Sequence, residues 1–176
     1  AAAASPVTPQ ATAAAAGKPA AASAREIVMQ VPYGEIPVSG ERLESLRRLL
    51  EELQAGGFRG HVTVTSFPGR FCLSGTPTEG FEPAAAELPA DKCDLVGNPF
   101  DDNLAPAQRE PVALANLIGA LRQRSGGGLQ VELAAGAETV HASAYPGPSP
   151  TLRASEWNRA AEGNNRLEIR IQPDAT

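Results

Sequence analysis

The chain has 176 residues, 42% of them hydrophobic and 20% charged, and its first two dozen are so biased in composition that about 150 remain to build a core, enough for one domain. A formal net charge of −5, a pI near 5.1 and no Lys/Arg cluster longer than the pair Arg47 and Arg48 leave no cationic footprint, which disfavours nucleic acid and anionic membrane surfaces. No run approaches the roughly 20 apolar residues that span a bilayer, and the N-terminus lacks the basic-then-apolar order of a signal peptide, so the sequence reads as a fragment or mature form.

Residues 1–24 are almost all Ala, Pro, Ser, Thr and Gly, with Lys18 the one charge. Such a segment buries too little to offset its ordering entropy and is expected to be a disordered tether. From Glu26 the pattern becomes regular. Ile27, Val28 and Val31 predict a short strand, Pro32 to Val38 a loop, and Ser39 the N-cap of a helix. Leu43, Leu46, Leu50 and Leu53 recur at helical spacing, and Gly56 with Gly57 supplies the stop. Val62 to Thr65 form a β-branched strand that ends before Pro68 and Gly69.

Cys72 and Cys93 flank a segment rich in Pro, Gly and Ala that burial alone would not hold. A bridge closing it would reduce denatured-state entropy by about 3 kcal/mol and points to an oxidising compartment, the periplasm or outside the cell. The alternative is two unrelated free thiols.

A second long helix follows. Pro106 suits its first turn, Pro111 should kink it or delay its start, and Val112, Ala115, Leu117, Ile118 and Leu121 make its apolar stripe. The turn from Ser125 to Gly128 leads to an alternating strand through Leu129, Val131 and Leu133. Tyr145 to Pro150 is a Pro-rich loop, Thr151 to Ala161 a short helix, and Leu167, Ile169 and Ile171 a last strand, with residues 174–176 as a tail. The order βαβ, insert, αβαβ predicts an α+β two-layer sandwich, a mixed sheet with its helices on one face.

The chain gives catalysis little to work with. His61 and His141 are far apart in sequence, no base is indicated beside either cysteine, no Cys/His spacing suits zinc, and no glycine-rich loop opens a helix as phosphate-binding motifs do. Asp101 and Asp102 are adjacent, and adjacent carboxylates rarely face one another across a substrate as glycoside hydrolysis requires. No cofactor is expected, and the chain is read as not an enzyme.

Two motifs carry a resemblance. The first runs Cys93, Asp94, Leu95, Val96, Gly97, four residues, Asp102, two residues, Ala105, Pro106, two residues, Arg109, Glu110. It resembles the signature of OmpA-like domains, Thr-Asp, two spacers, Gly, four spacers, Asn, two spacers, Leu-Ser, two spacers, Arg-Ala. Asp94, Gly97 and Arg109 match in type and spacing; Asp102 stands for the family's Asn, Ala105 and Pro106 for its Leu-Ser, and Glu110 for its final Ala. The second, Asn164, Asn165, Arg166, Leu167, Glu168 and Ile169, is similar to the family's closing Asn-Arg-Arg-Val-Glu-Ile. The resemblance covers Arg25 to Pro173, with an insertion from Phe67 to Cys93.

The resemblance implies an OmpA-like domain in the periplasm of a Gram-negative bacterium, one that binds peptidoglycan and anchors an envelope assembly to the wall. Asp94 would take the ammonium end of a diaminopimelate side chain and Arg109 its carboxylate. Gly97, Asp102 and Arg166 complete the implied binding set, with Arg166 alternatively bracing the last strand. An anion and a cation a few ångströms apart suit a zwitterion, and the planar fork of Arg suits a carboxylate. For Asp94 the bland alternative is a turn or capping aspartate; for Arg109 it is a solvated charge paired with Asp101, Asp102 or Glu110. Other envelope proteins are expected partners, and any membrane attachment would come through a segment absent from this chain. A competing reading keeps the fold as a scaffold, with the insert, including Phe71 and Phe81, as its contact surface.

Overall fold

The computed structural model describes residues 23–175, so the tether expected over residues 1–24 lies, but for its last two residues, outside them. The main sheet has four strands, β1 (Arg25–Gln30), β2 (Gly60–Phe67), β6 (Leu129–Ala135) and β7 (Arg166–Pro173), in the order β1-β7-β2-β6. β2 and β6 run parallel, while β7 is antiparallel to both β1 and β2, giving the mixed sheet that the pattern predicts.

Its register sorts the side chains onto two faces. Ile27 faces Ile169, Met29 faces Leu167, and Val62 and Val64 face Ile171 and Ile169, so one side of the sheet is continuously apolar. Two helices cover it: α1 (Gly40–Ala55), through Leu46, Leu50 and Leu53, and α4 (Val112–Arg124), through Leu114 and Leu121. These residues are buried in one core.

α1 stops as its glycines dictate. Gly57 takes a positive φ of 70°, its N–H donates to the Gln54 carbonyl, and the Phe58 N–H donates to the Leu53 carbonyl, 2.9 Å. This pair of bonds satisfies carbonyls that the helix end would otherwise strand, and it delivers Phe58 onto the core. At the other end Ser39 is the N-cap, but its hydroxyl donates back to the Ile36 carbonyl at 2.7 Å and does not cap the helix.

The expected second long helix is divided. Two single turns, α2 (Pro99–Asp102) and α3 (Pro106–Arg109), precede α4, whose N-cap is Pro111. Pro111 thus delays the start, because it has no N–H to continue the preceding turn. The stripe also differs from expectation: Val112 and Ala115 are exposed, and the buried line runs through Leu114 and Leu121, with Leu117 and Ile118 partly buried.

The insert is a second sheet. β3 (Phe71–Thr76) lies between β4 (Gly80–Pro83) and β5 (Leu95–Gly97), all antiparallel, and a single 3-10 turn, Ala90–Lys92, leads into Cys93. Phe71, Cys72 and Leu73 are all buried, so the first half of this strand has no solvent face. On one side Phe71 and Leu73 meet Ala161 of α5 (Ala154–Asn164), with Tyr33, Phe81 and Tyr145 around them. On the other, Cys72 packs with Ala84 and Ala154. α5 therefore serves the insert sheet, while α1 and α4 serve the main one. The Asn158 side chain extends β3 like another strand, accepting from the Cys72 N–H at 2.7 Å and donating to the Cys72 carbonyl at 3.0 Å.

Cys72 and Cys93 are disulfide-bonded, with Cα atoms 5.3 Å apart. Among the described residues no helix is long and apolar enough to cross a membrane.

Candidate functional site

Arg109 is the last residue of α3 and lies half-buried. Its guanidinium reaches back to Asp101 in α2, forming an ion pair at 3.4 Å and donating to the Asp101 carbonyl oxygen. Asp101 is itself buried, and its N–H donates to the side-chain oxygen of Asn98, the N-cap of α2, at 3.1 Å. Arg109 is thereby held by an anchored acid, which lowers the entropy lost when its remaining donors meet a ligand.

Beside it is a cavity of about 260 Å³. Its floor is the C-terminal ends of β2 and β6, including Val64, Ser66 and Leu133, with Leu167 from β7. Pro37 and Val38, from the loop before α1, wall one side, and Pro106, Arg109 and Glu110 the other. The lining is aliphatic except for Ser66, the Arg109 cation and the Glu110 anion.

The other motif positions go elsewhere. Asp94 is exposed at the start of β5; its N–H donates to the Leu73 carbonyl and its Oδ2 accepts from the Gly75 N–H, both at 2.9 Å. It is not part of the wall that Arg109 lines. Gly97 pairs with Phe71 at the end of β5, and Asp102 is exposed at the end of α2. Arg166 is 2% exposed on the opposite face of the main sheet, bound to Glu168 at 2.7 Å and to the Asn164 carbonyl at 3.0 Å, with its guanidinium 4.2 Å from the centre of the Phe67 ring.

Sequence reasoning missed Asn165. Its side-chain oxygen accepts from the Gly69 N–H at 3.0 Å and from Asn98 Nδ2 at 3.2 Å, while its Nδ2 donates to the Val31 carbonyl. Gly69 has to be glycine here, since a Cβ would lie 2.2 Å from the Ala161 carbonyl oxygen. One amide thus ties the end of β1, the turn before β3 and the N-cap of α2 to the last strand. Asn98 and Asn165 stood in the two motifs, and their shared burial was the missing signal.

His61 is exposed, 3.9 Å from Asp174, and His141 lies edge-on to Tyr145, which stacks on Trp157. Among the described residues no three His, Cys, Asp or Glu side chains gather as a metal site.

No protein-family profile matches the chain, and no curated protein is significantly similar to it. Among solved structures, the periplasmic domain of Helicobacter pylori MotB is similar over 87% of this chain and 85% of that one, at 15% identity and a TM-score of 0.40.

Proposed function

We propose that this is a non-catalytic cell-envelope domain that associates with peptidoglycan without forming a covalent bond. The observation that carries the reading is Arg109, anchored by Asp101 at the rim of an aliphatic cavity, at the spacing from Asp94 that the OmpA-like motif requires. A fixed guanidinium beside an aliphatic wall favours a carboxylate on a methylene chain, the chemistry of a stem-peptide side chain. The finer form of the reading is that diaminopimelate is the residue bound, with Asp94 and Arg109 as the motif pair. The disulfide supports an oxidising compartment, hence the periplasm.

One feature favours a scaffolding role beside wall binding. A hollow of about 720 Å³ lies between the insert hairpin and α2, lined in part by Tyr33, Phe81, Pro83 and Phe100, an aromatic surface suited to an envelope protein partner.

The two readings separate in one titration. Adding a soluble diaminopimelate-containing muropeptide to isotope-labelled protein should move the amide resonances of Val38, Ser66, Arg109 and Leu133. Shifts confined to Phe81 and Phe100, or none at all, would leave scaffolding as the reading.

A further inference from the structure

We propose that a second cavity, where the insert meets α5, is a saccharide site that takes a neutral N-acetylated amino sugar on Trp157. It goes beyond the stem-peptide reading and shares no lining residue with the Arg109 cavity. Its volume is about 530 Å³, within the range of small-molecule sites. Pro146, Pro148 and Pro150, from the loop before α5, form one wall; Val96 and Leu152 add aliphatic surface, and Trp157 is the one aromatic in the lining.

The ring is fixed from behind. Trp157 Nε1–H donates to the Arg70 carbonyl at 2.8 Å, Tyr145 stacks on the indole with ring centres 4.7 Å apart, and the Tyr145 hydroxyl accepts from the Arg70 N–H at 2.8 Å. The indole N–H is thus spent on the fold, and what Trp157 offers the cavity is flat hydrocarbon, a surface on which the C–H face of a pyranose packs. The turn that carries Asp91 is held as well: the Ala90 N–H donates to the Leu152 carbonyl at 3.0 Å, and Pro89 bridges Arg153. Ring and carboxylate therefore stand in a preformed wall.

The polar groups of the lining narrow the ligand. Asp91 is exposed, enters none of the ion pairs of the described residues, and as a carboxylate only accepts. Ser149 adds a hydroxyl, whose oxygen already accepts from the Thr151 N–H at 3.3 Å. No Lys or Arg lines the cavity. The ligand must bring donors and must not be acidic, and the hydroxyls and acetamido N–H of a neutral amino sugar meet both conditions, with the acetamido methyl against the proline wall. A proline-rich peptide, the other ligand of aromatic grooves, has no N–H at its prolines, and its carbonyls find neither the indole N–H nor a cation here.

Trp157 is the only tryptophan in the sequence, so its fluorescence reports on this site directly. The whole chain is titrated with chitotetraose, an N-acetylglucosamine oligomer, with maltotetraose, whose sugars lack the acetamido group, and with a polyproline peptide. The variants are Asp91→Ala, Lys92→Ala and, by calorimetry, Trp157→Leu. Asp91 and Lys92 are exposed, so neither change disturbs the core, and Lys92 is outside the lining. The proposal expects a saturable fluorescence change with chitotetraose and weaker binding of the other two probes. It expects a loss of about tenfold or more in Asp91→Ala and about fivefold or more in Trp157→Leu, against a change within about twofold in Lys92→Ala. No saturable response to chitotetraose, wild-type affinity in Asp91→Ala, or equal or tighter binding of maltotetraose or polyproline overturns it. Chitotetraose carries no peptide, so its failure removes this site and leaves the stem-peptide reading to the muropeptide titration.

Discussion

Asn98 donates its side-chain amide to the side-chain oxygen of Asn165, 3.2 Å away and 67 residues on in the chain. This bond joins the two motif segments: Asn98 precedes the turn that carries Asp101, and Asn165 precedes Arg166 in the last strand. Both motifs therefore also carry a structural junction, and the Arg109 rim is built on it through Asp101.

Replacing Asn165 with Ala should cost about 3 kcal/mol, because it strands the buried Gly69 N–H and removes the acceptor for Asn98. Urea denaturation measures this. A loss below about 0.5 kcal/mol, the usual range for surface substitutions, would show that the junction is not a structural keystone.

The Arg166–Glu168 pair is buried and hydrogen-bonded, so removing Glu168 leaves Arg166 as an uncompensated buried charge, while Glu168 without Arg166 keeps only its longer pairing to Arg170 at 3.8 Å. Arg166→Met and Glu168→Gln should each destabilise by about 3 kcal/mol, and the double variant by less than their sum. Strict additivity in a double-mutant cycle would contradict the bracing role.

Breaking the disulfide should loosen the insert before the main sheet. Cys72 is fully buried between Ala84 and Ala154, and the bond ties β3 to the turn before β5. Reduction is expected to cost about 3 kcal/mol. Hydrogen exchange in dithiothreitol should show protection lost first in residues 71–97, with β2, β6 and β7 retained. Uniform loss across both sheets would mean that they unfold as one unit.

Tyr33 donates its hydroxyl to the Phe81 carbonyl at 2.9 Å, and burial first, with the Glu82 charge second, raises its pKa above the ordinary value of about 10. The fold therefore holds that proton more tightly than the unfolded chain does. The resulting stability is fully present below about pH 10 and is lost as pH rises through the folded value. Urea midpoints taken from pH 8 to 11 should fall more steeply for the wild type than for Tyr33→Phe; parallel curves would remove Tyr33 from the alkaline response.

Three elements around the main core were legible because their apolar residues keep strict periods: Val62 and Val64, and Leu167, Ile169 and Ile171 at two, and Leu46, Leu50 and Leu53 near 3.6; β1 and α4 were read less well, because Val28 and Val112 are apolar yet exposed and Val31 lies beyond the strand. The insert sheet was not legible, since Phe71, Cys72 and Leu73 are buried on both faces and show no alternation, and its partners are only four and three residues long. Of the candidate site, the motif spacing pointed to Arg109, and its partner was among three acids open to it; the choice of Asp101 depended on the Pro111 break and the Asn98 cap, both tertiary matters. Asn165 was invisible because an asparagine at a helix end reads as a cap until its distant partners are known.

The most direct test of the central claim is co-sedimentation of the chain with purified diaminopimelate-type sacculi, comparing wild type with Arg109→Ala after circular dichroism has shown both to be folded. The account predicts that the wild type pellets and that Arg109→Ala stays in the supernatant, a loss of about tenfold or more in affinity. A folded wild type that stays soluble, or an Arg109→Ala that pellets as well as the wild type, would contradict it.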